Sequence, residues 1–434
     1  MNRLIHILLT VLTVVAAALP SAAAVRIARA ADLAAMTVGG RVYEVTGHIE
    51  LPAGRTVSVG RGATLTFADG AGFSGGALHL DNVRVVGDAA CLFSGTAVSG
   101  TMSNAEVKAE WWGVAPGDVS GAVNRALAFA RDRNIVTLDQ GVHPVADTIS
   151  INRRGQRFSC RGTLHLVKPA RKAPRTVMGQ QYAAVCIDIS ASDITVSARA
   201  ITASGKLTDS KTFYGTGILF SGNTYNSTVA VDTLTGLERA LDFTPQPHDM
   251  AEGGTQYLRI PFRRIVARYG IFIDVCRRPV LYGRPTNVWM NENQIGGGVI
   301  EGDYGIFVAS PADYGVESVD PRDYINGNVF RDITFGRITR LPMRLWHCRL
   351  DRFERITMHG PLPSGPWIGM SDCQLLDIDI TGGIPVGKVD AGDGCYRVSV
   401  GSPVTGGART YRRMVIYSRD GNKGGPAQIF VTDN

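Results

Sequence analysis

Several features are scarce or missing in this sequence, and each absence narrows the class of protein. Only 8% of the residues are aromatic, no proline- or serine-rich linker divides the chain, and no second long apolar run follows the N-terminal one. Seven cysteines are present without a C-x-x-C pair of zinc spacing, and no nucleic-acid recognition motif accompanies the net charge of +7. These absences argue against a zinc domain, a nucleic-acid-binding protein and stable membrane insertion.

What the sequence has in quantity is glycine and short β-branched runs. Its 434 residues include 51 glycines, and many runs rich in Val, Ile and Thr end in Gly, Asn or Asp. This composition is typical of an all-β protein, and the unbroken chain favours one elongated solenoid over two separate domains. The basic balance suits an acidic polymer or a charged cell surface as partner.

The C-terminal third repeats itself. Four short segments, at residues 333–335, 356–358, 378–380 and 398–400, each place two apolar residues around a polar one, at spacings of 23, 22 and 20 residues. One such strand per period is typical of a β-solenoid, whose coils bury their apolar faces by stacking. The residues predicted to face inward are Ile333, Phe335, Ile356, Met358, Ile378, Ile380, Val398 and Val400. The residues before these segments, Asp332, Arg355, Asp377 and Arg397, are expected to form a surface ladder of alternating charge.

The N-terminus predicts export. Residues 1–24 are interpreted as a signal peptide, because Arg3 precedes an apolar stretch and Ser21 begins a run of small residues suited to cleavage. The expected location is therefore secreted, periplasmic or at the cell surface. Buried free thiols are favoured, with one or two disulfides left open. Cys348, Cys373 and Cys395 lie at different distances from their strands and are not expected to form one column.

Two stretches around a predicted helix resemble a known family. Residues 107–113 read Val-Lys-Ala-Glu-Trp-Trp-Gly, an amphipathic helix is expected near 119–132, and residues 138–145 read Leu-Asp-Gln-Gly-Val-His-Pro-Val. This order is similar to the N-terminal segment of the pectate-lyase superfamily, the pectin-lyase-like parallel β-helices that include phage tailspike proteins. The family's paired aspartates are reduced here to the single Asp118.

The resemblance implies a right-handed parallel β-helix. We therefore predict an all-β fold in which a β-helix domain spans residues 106–434, with one N-terminal capping α-helix, after a glycine-rich β module at 25–105. The resemblance also implies polysaccharide lyase, glycoside hydrolase or epimerase activity, although some members of the superfamily are not enzymes. The tailspike comparison points to a homotrimer.

The predicted site is a segment of extra length. The turns at 291–293 and 326–328 are 35 residues apart, about 13 more than one coil of the C-terminal repeat, and residues 301–325 between them are rich in acids and tyrosines. Such an insertion often walls a binding cleft. Asp303 and Asp323 are the candidate acid and base, since glycosidases use paired carboxylates. The candidate substrate-binding residues are Tyr304, Arg322, Tyr324, Glu292 and Arg331.

Two classes of function remain open from the sequence. The first is a secreted enzyme that acts on a polysaccharide, an acidic one by charge, through lysis or hydrolysis of glycosidic bonds. The second is a non-catalytic glycan-binding or structural cell-surface protein. The motif set of polygalacturonases is absent apart from His359-Gly360, and no aspartate triad marks a calcium site. No cofactor is therefore predicted, with calcium left open. His347 and His359 are further acid–base candidates.

Overall fold

The structure of the chain is a computed structural model. It describes residues 23–88, 90–131, 133–167, 175–177, 180–182, 184–245, 252–275, 280–281, 284–285, 287–310, 313, 325–392, 394–401, 412–418 and 427–433. The predicted signal peptide, apart from its last two residues, lies outside the described residues. The chain divides into two compact units, one of residues 1–105 and 110–113, the other of residues 106–109 and 114–434.

The first unit is itself a small parallel solenoid. Its strands form three stacks, β1-β2-β5-β7, β3-β6-β8 and β4-β7-β9, and every pairing in them is parallel. Val42 lies opposite Thr64, which lies opposite Arg84, so these coils are 22 and 20 residues long. Alternation buries one side of each strand, as at Leu65, Phe73 and Leu78. The strands are β1 Val25–Ile27, β2 Val42–Val45, β3 His48–Glu50, β4 Thr56–Val59, β5 Thr64–Phe67, β6 Gly72–Ser74, β7 Ala77–Val86, β8 Phe93–Ser94 and β9 Ala97–Met102, with a 3₁₀ helix at Ala30–Thr37.

The second unit contains a long stack of coils and one α-helix, α1, at Ser120–Phe129. Its strands are β10 Glu106–Lys108, β11 Ile135–Leu138, β12 Val142–Val145, β13 Ile149–Ile151, β14 Arg157–Leu166, β15 Arg175–Val177, β16 Gln180–Tyr182, β17 Val185–Ile189, β18 Thr195–Thr202, β19 Thr216–Phe220, β20 Thr224–Tyr225, β21 Thr228–Phe243, β22 Glu252–Gln256, β23 Arg259–Ile273, β24 Val280–Leu281, β25 Arg284–Pro285, β26 Asn287–Asn291, β27 Gln294–Gly296, β28 Val299–Val308, β29 Ile325–Asn326, β30 Val329–Arg331, β31 Thr334–Trp346, β32 Cys348–Arg349, β33 Arg352–Met358, β34 Ile368–Ser371, β35 Asp377–Thr381, β36 Val389–Ala391, β37 Tyr396–Gly401, β38 Arg412–Ser418 and β39 Ala427–Asp433. Three-residue 3₁₀ helices lie at Ser210–Thr212 and Val386–Lys388, and a four-residue one at Ala109–Trp112 joins the two units in sequence.

The coils of the second unit stack in parallel. One register position recurs at Thr195, Thr228, Arg259, Gln294 and Val329, so successive coils are 33, 31, 35 and 35 residues long. The next coils, from Val329 onward, are only 23, 25 and 22 residues long. The predicted right-handed parallel β-helix is therefore confirmed in its stacked parallel coils. Its predicted extent to residue 434 is wrong, because β38 pairs antiparallel with β37 and β39 pairs antiparallel with β38, so the parallel coils end at β37. The predicted period in the low twenties holds for the first unit and the C-terminal coils and is wrong for the coils between them.

The inward face of the C-terminal repeat is as predicted, while part of its register is not. Seven of the eight predicted core residues are at most 1% exposed, and Met358 is partly buried. Ile356 pairs with Ile380 and Ile378 with Val400, two residues from the predicted alignment. A shift of two residues keeps each side chain on its face, because strand side chains alternate with a period of two.

The predicted charge ladder forms in part. Arg355 Nε lies 2.6 Å from Asp332 Oδ1, as expected. The register shift places Asp377 opposite Arg352 on one side and Ser399 on the other, so the regular alternation predicted for four coils is wrong.

A column of buried polar side chains runs along one turn of the stack. Asn293 donates from Nδ2 to Asn328 Oδ1 at 2.9 Å, and Asn328 donates from Nδ2 to Asp351 Oδ1 at 2.9 Å. All three residues are fully buried. The residue before each of them, Glu292, Gly327 or Leu350, has a positive φ of 54°, 68° or 56°. A left-handed residue followed by a side chain that bonds its neighbours thus shapes this turn coil after coil.

Three cysteines form a second buried column. Arg349 bridges to Gln374 and Gln374 bridges to Tyr396, both in parallel. The residues just before them, Cys348, Cys373 and Cys395, are therefore in register and are at most 2% exposed. The prediction that they lie in different columns is wrong. It was based on the distance from each cysteine to the strand that follows, and the turns between cysteine and strand differ in length from coil to coil.

The predicted amphipathic helix is present as α1, which packs against β11 and β13 with Val123 and Leu127 at most 1% exposed. At the N-terminus of α1, Asp118 accepts hydrogen bonds from Ser120 N at 3.0 Å and from Ser120 Oγ at 2.8 Å. Partial burial raises the pKa of Asp118, but the Ser120 and Ala146 bonds prevail and the pKa is lowered. Arg153 closes the other end by donating to the carbonyls of Leu127 and Ala128.

Among the described residues, no helix has both the length and the apolarity that crossing a membrane requires.

Candidate functional site

An open groove of about 510 Å³ crosses four successive coils of the second unit. We call it the arginine groove. It lies on the outer face of the sheet made by β23, β28, β31 and the residues after β33. Its lining residues are Arg263, Arg264, Val299, Glu301, Thr334, Gly336, Arg337, His359, Gly360 and Pro361.

Strand register places these side chains side by side. Arg264 lies opposite Val299, Val299 opposite Thr334, and Thr334 opposite Thr357. Neighbouring parallel strands are about 4.8 Å apart, so a groove across them offers one set of side chains per coil to a long ligand. Gly336 forms part of the floor, since a Cβ added there would come within 2.9 Å of Glu301 Cγ.

The groove is cationic. Arg263, Arg264, Arg337 and His359 are all exposed, whereas the one carboxylate in its lining belongs to Glu301. Arg264 donates to Glu301 Oε2 from Nη2 at 2.6 Å and from Nε at 3.0 Å. That pair leaves the positive charge of Arg263 and Arg337 in excess, so the groove attracts anions.

The sequence pointed to this groove only in fragments. Arg263 and Arg264 are adjacent in the sequence, as are Arg153-Arg154, Arg277-Arg278 and Arg412-Arg413, so the pair does not stand out, and His359 is one of the two candidate histidines. The structure separates the two histidines, because His359 lines the groove while His347 is 9% exposed with its ring stacked on Trp346 at 4.7 Å. Arg337 was missed, since it carries no motif. Glu301 belongs to the predicted segment 301–325 but was not among the chosen site residues.

Asp303, the predicted acid, lies outside the groove lining. It is 4% exposed within β28. Its Oδ2 lies 3.9 Å from Nε of both Arg268 and Arg340, and its Oδ1 accepts a hydrogen bond from the Thr339 hydroxyl. Arg268 in turn bonds Glu238 Oε1 at 3.0 Å. Asp303 thus belongs to a column of alternating charge across four coils, in which its own charge is compensated.

Two bulges in β31 lie opposite the part of β28 that holds Glu301, which lines the groove, and Asp303, which does not. The register between β28 and β31 shifts on both sides of Gly302. Gly302 has a φ of 152°, and a Cβ at this position would lie 1.6 Å from the Ala267 carbonyl oxygen. The backbone packs too closely there for any other residue. In β31 the steps from Phe335 to Ile338 and from Ile338 to Leu341 are one residue longer than the matching steps in β28, so the extra residues lie opposite Glu301 and Asp303.

Tyr304 joins a cluster of aromatic rings beside this charged column. Its ring stacks on Tyr269 with centroids 5.0 Å apart and planes 4° from parallel. Its hydroxyl accepts a hydrogen bond from Arg340 Nη1 at 3.3 Å. Phe307 meets both tyrosine rings edge-on.

The remaining predicted site residues do not converge on one point among the described residues. Glu292 is exposed in its turn and accepts a hydrogen bond from Gln256 Nε2 at 3.0 Å, and the Tyr257 hydroxyl and this amide lower the pKa of Glu292. Arg331 donates to Gln294 Oε1. Asp323, Arg322 and Tyr324 lie outside the described residues, so the Asp303–Asp323 pair stays a prediction.

The premise behind that pair is wrong. The coil that contains residues 301–325 is 35 residues long, and the three coils before it are 33, 31 and 35 residues long. The segment is therefore not an insertion into a coil of fixed length. It looked long because its length was compared with that of the shorter C-terminal coils.

Metal ligation has no candidate in the described part of the chain. No group of three or more His, Cys, Asp or Glu side chains there is arranged to hold an ion. The acids named above are bonded to arginines, hydroxyls or amides.

Comparison with known proteins was made at the level of structure and of sequence. The chain is similar to a solved structure of endopolygalacturonase I from Stereum purpureum complexed with two galacturonate, with a TM-score of 0.25, 14% sequence identity, and coverage of 84% of this chain and 96% of that one. A likeness this distant carries no argument about function, and the fold assignment stands on the sheet topology. No protein-family profile matches the chain, and no curated protein matches it.

Proposed function

We propose that this protein binds an acidic polysaccharide along the arginine groove. The observation that carries the proposal is a groove across four coils, with three arginines, one histidine and a single, already paired carboxylate in its lining. Arginine suits carboxylates and sulfates because its planar guanidinium bonds two oxygens at once. Sugar units of a linear polymer can then follow the coils, each carrying its anionic group past one set of cations.

If the bound polymer is cleaved, the groove is better suited to lysis than to hydrolysis. Hydrolysis by the usual mechanism needs two carboxyl groups about 5–10 Å apart across the scissile bond. The described groove lining supplies only Glu301, and Arg264 holds that carboxylate. Lysis needs cations to neutralise the uronate and one base, and both kinds of group are present.

The chemistry of lysis assigns a role to each side chain. Arg263 and Arg337 neutralise the uronate carboxylate, which makes the hydrogen on the adjacent carbon more acidic. His359, exposed at the groove wall, takes that proton as a general base. The C–H electrons form a carbon–carbon double bond, the bond to the leaving sugar oxygen breaks, and that oxygen gains a proton from solvent.

A non-catalytic role is the second candidate, and one observation favours it. The Glu238–Arg268–Asp303–Arg340 column pairs its charges internally, as expected of groups that hold coils together. A surface protein that only binds glycans needs the cationic groove and no base.

Binding titrations with purified full-length protein test the proposal. Polygalacturonate and alginate are the acidic probes, and a neutral glucan is the reference. We expect binding to the acidic probes that weakens as salt rises, and no binding to the neutral one. Equal affinity for acidic and neutral polymers would contradict the proposed role of the groove.

Matched variants locate the binding. Arg263→Ala with Arg264→Ala and Arg337→Ala removes three charges from the groove, and Arg41→Ala with Arg55→Ala and Arg84→Ala removes three exposed charges from the first unit. Only the first set should lose binding.

The same samples can be assayed for unsaturated products and for reducing ends, which separates lysis from hydrolysis and from binding alone. His359→Gln should abolish lysis while leaving binding intact.

A further inference from the structure

The column of three buried cysteines can form a disulfide, a chemistry that the arginine groove does not use. Cys348, Cys373 and Cys395 come from three successive coils and occupy the same register position. The Cys348 thiol donates to Trp346 O at 3.5 Å and the Cys373 thiol to Ser371 O at 3.3 Å, so the two have equivalent surroundings in successive coils. In-register neighbours on parallel strands are about 4.8 Å apart, which falls within the Cα–Cα range of about 4.4–6.8 Å that disulfides span.

We propose that Cys373 forms one disulfide between adjacent coils, with Cys348 or Cys395, when the chain folds in an oxidising compartment. The middle position makes Cys373 common to both pairings, and one sulfur can join only one partner. The third cysteine of the column therefore stays a thiol. The two thiols each lose a proton and together two electrons, a sulfur–sulfur bond forms, and a low-molecular-weight disulfide such as oxidised glutathione is reduced to two thiols.

The order of folding and oxidation matters for this bond. In the folded protein Cys348, Cys373 and Cys395 are at most 2% exposed. Burial raises the pKa of the Cys373 thiol, and its hydrogen bond with Cys373 followed by burial raises that of Cys395. Thiols react as thiolates, so the finished fold is inert toward oxidants. The bond forms while the chain folds, and the fold then shields it from reductants.

Peptide mapping of the full chain tests the proposal. The chain is produced once with export into an oxidising compartment and once in a reducing cytoplasm, and free thiols are alkylated under denaturing conditions before digestion. We expect Cys373 linked to Cys348 or Cys395 in the exported protein and three free thiols in the cytoplasmic one. Oxidised glutathione added to the folded cytoplasmic protein should leave all three free.

Variants supply a second measurement. Cys348→Ala should leave only the Cys373–Cys395 link, Cys395→Ala only the Cys348–Cys373 link, and Cys373→Ala neither. The exported wild-type protein should melt at a higher temperature than the cytoplasmic one, and Cys373→Ala should remove this difference. Cys91→Ala, in the first unit, is the matched control that keeps it. A free Cys373 in the exported protein, or a link from Cys373 to a cysteine outside the column, would overturn the proposal.

Discussion

Replacement of Asp351 by Asn tests the reasoning about the buried polar column. Each asparagine in the column donates from Nδ2 to a backbone carbonyl of the coil before it. Asn293 donates to Thr255 O at 3.1 Å and Asn328 to Met290 O at 2.8 Å. Thr255 lies opposite Met290 and Met290 opposite Ile325, so the equivalent carbonyl for residue 351 is that of Ile325.

Residue 351 is an aspartate, so its Oδ2 takes the place that Nδ2 has in Asn293 and Asn328. Asp351 Oδ1 accepts hydrogen bonds from Asn328 N at 2.7 Å and Asn328 Nδ2 at 2.9 Å. Its Oδ2 is buried and makes no hydrogen bond within the described residues. Complete burial raises the pKa of Asp351 well above its usual value, despite the bonds from Asn328. The protonated acid can donate from Oδ2 as the asparagines do from nitrogen, and the carboxylate cannot.

The raised pKa of Asp351 determines how its contribution to stability changes with pH. A carboxyl whose pKa is raised on folding contributes its stability fully below its unfolded pKa, near 3.8, and loses it as pH rises through the folded pKa. Asp351→Asn supplies the donor at every pH. An unsatisfied buried polar group costs about 1–3 kcal/mol, so the variant should gain about that much free energy of unfolding near pH 8. The gain should shrink toward pH 4.

Urea unfolding at a series of pH values measures this difference. Asp390→Asn, at an exposed strand position, is the control that removes one charge without touching the column. A variant Asp351→Asn that is less stable than the wild type throughout, or that shows an unchanged difference from pH 4 to pH 8, would refute the account of the column.

Three further predictions concern the helix, the groove floor and the surface ladder. Val123→Asp puts a charge on the buried face of α1 and should lower the free energy of unfolding by several kcal/mol in urea titrations, whereas Ala128→Asp on the exposed face should change it little. Gly336→Leu fills the floor of the arginine groove and should weaken acidic-polysaccharide binding by roughly tenfold or more with the circular dichroism spectrum unchanged; unaltered affinity would contradict the groove assignment. Asp332→Asn breaks the exposed pair with Arg355, keeps a residue that tolerates the left-handed backbone there (φ 54°), and should cost about 1 kcal/mol or less. The hydrogen bond from Arg355 lowers the pKa of Asp332, so this contribution is present above pH 3.8 and is lost as pH falls through the folded value; a larger loss at neutral pH would show a role beyond this pair.

The inward face was predictable because alternation tolerates error. Ile378 and Val398 were aligned two residues from their true partners, yet both are buried. Any even shift keeps a strand residue on its face, so the core can be found without the register. The surface ladder depends on the register itself, and only the Asp332–Arg355 pair formed as predicted.

The candidate site was harder to predict because it depends on backbone irregularity. Glu301 and Asp303 are two positions apart in β28, so strand alternation alone would put both side chains on the same face. The two bulges in β31 change what lies opposite each of these side chains, and the sequence of a strand does not by itself show a bulge. The groove also joins residues 263–264 with 359–361, almost 100 positions apart in sequence, and coils of unequal length hid that proximity.

The most direct test of the central proposal is a crystal structure of the protein with an acidic oligosaccharide such as an oligogalacturonate. We predict density along the arginine groove, with sugar carboxylates against Arg263 and Arg337 and His359 at the wall. An oligosaccharide bound at saturating concentration on another face, with the groove lined only by solvent, would contradict the proposal.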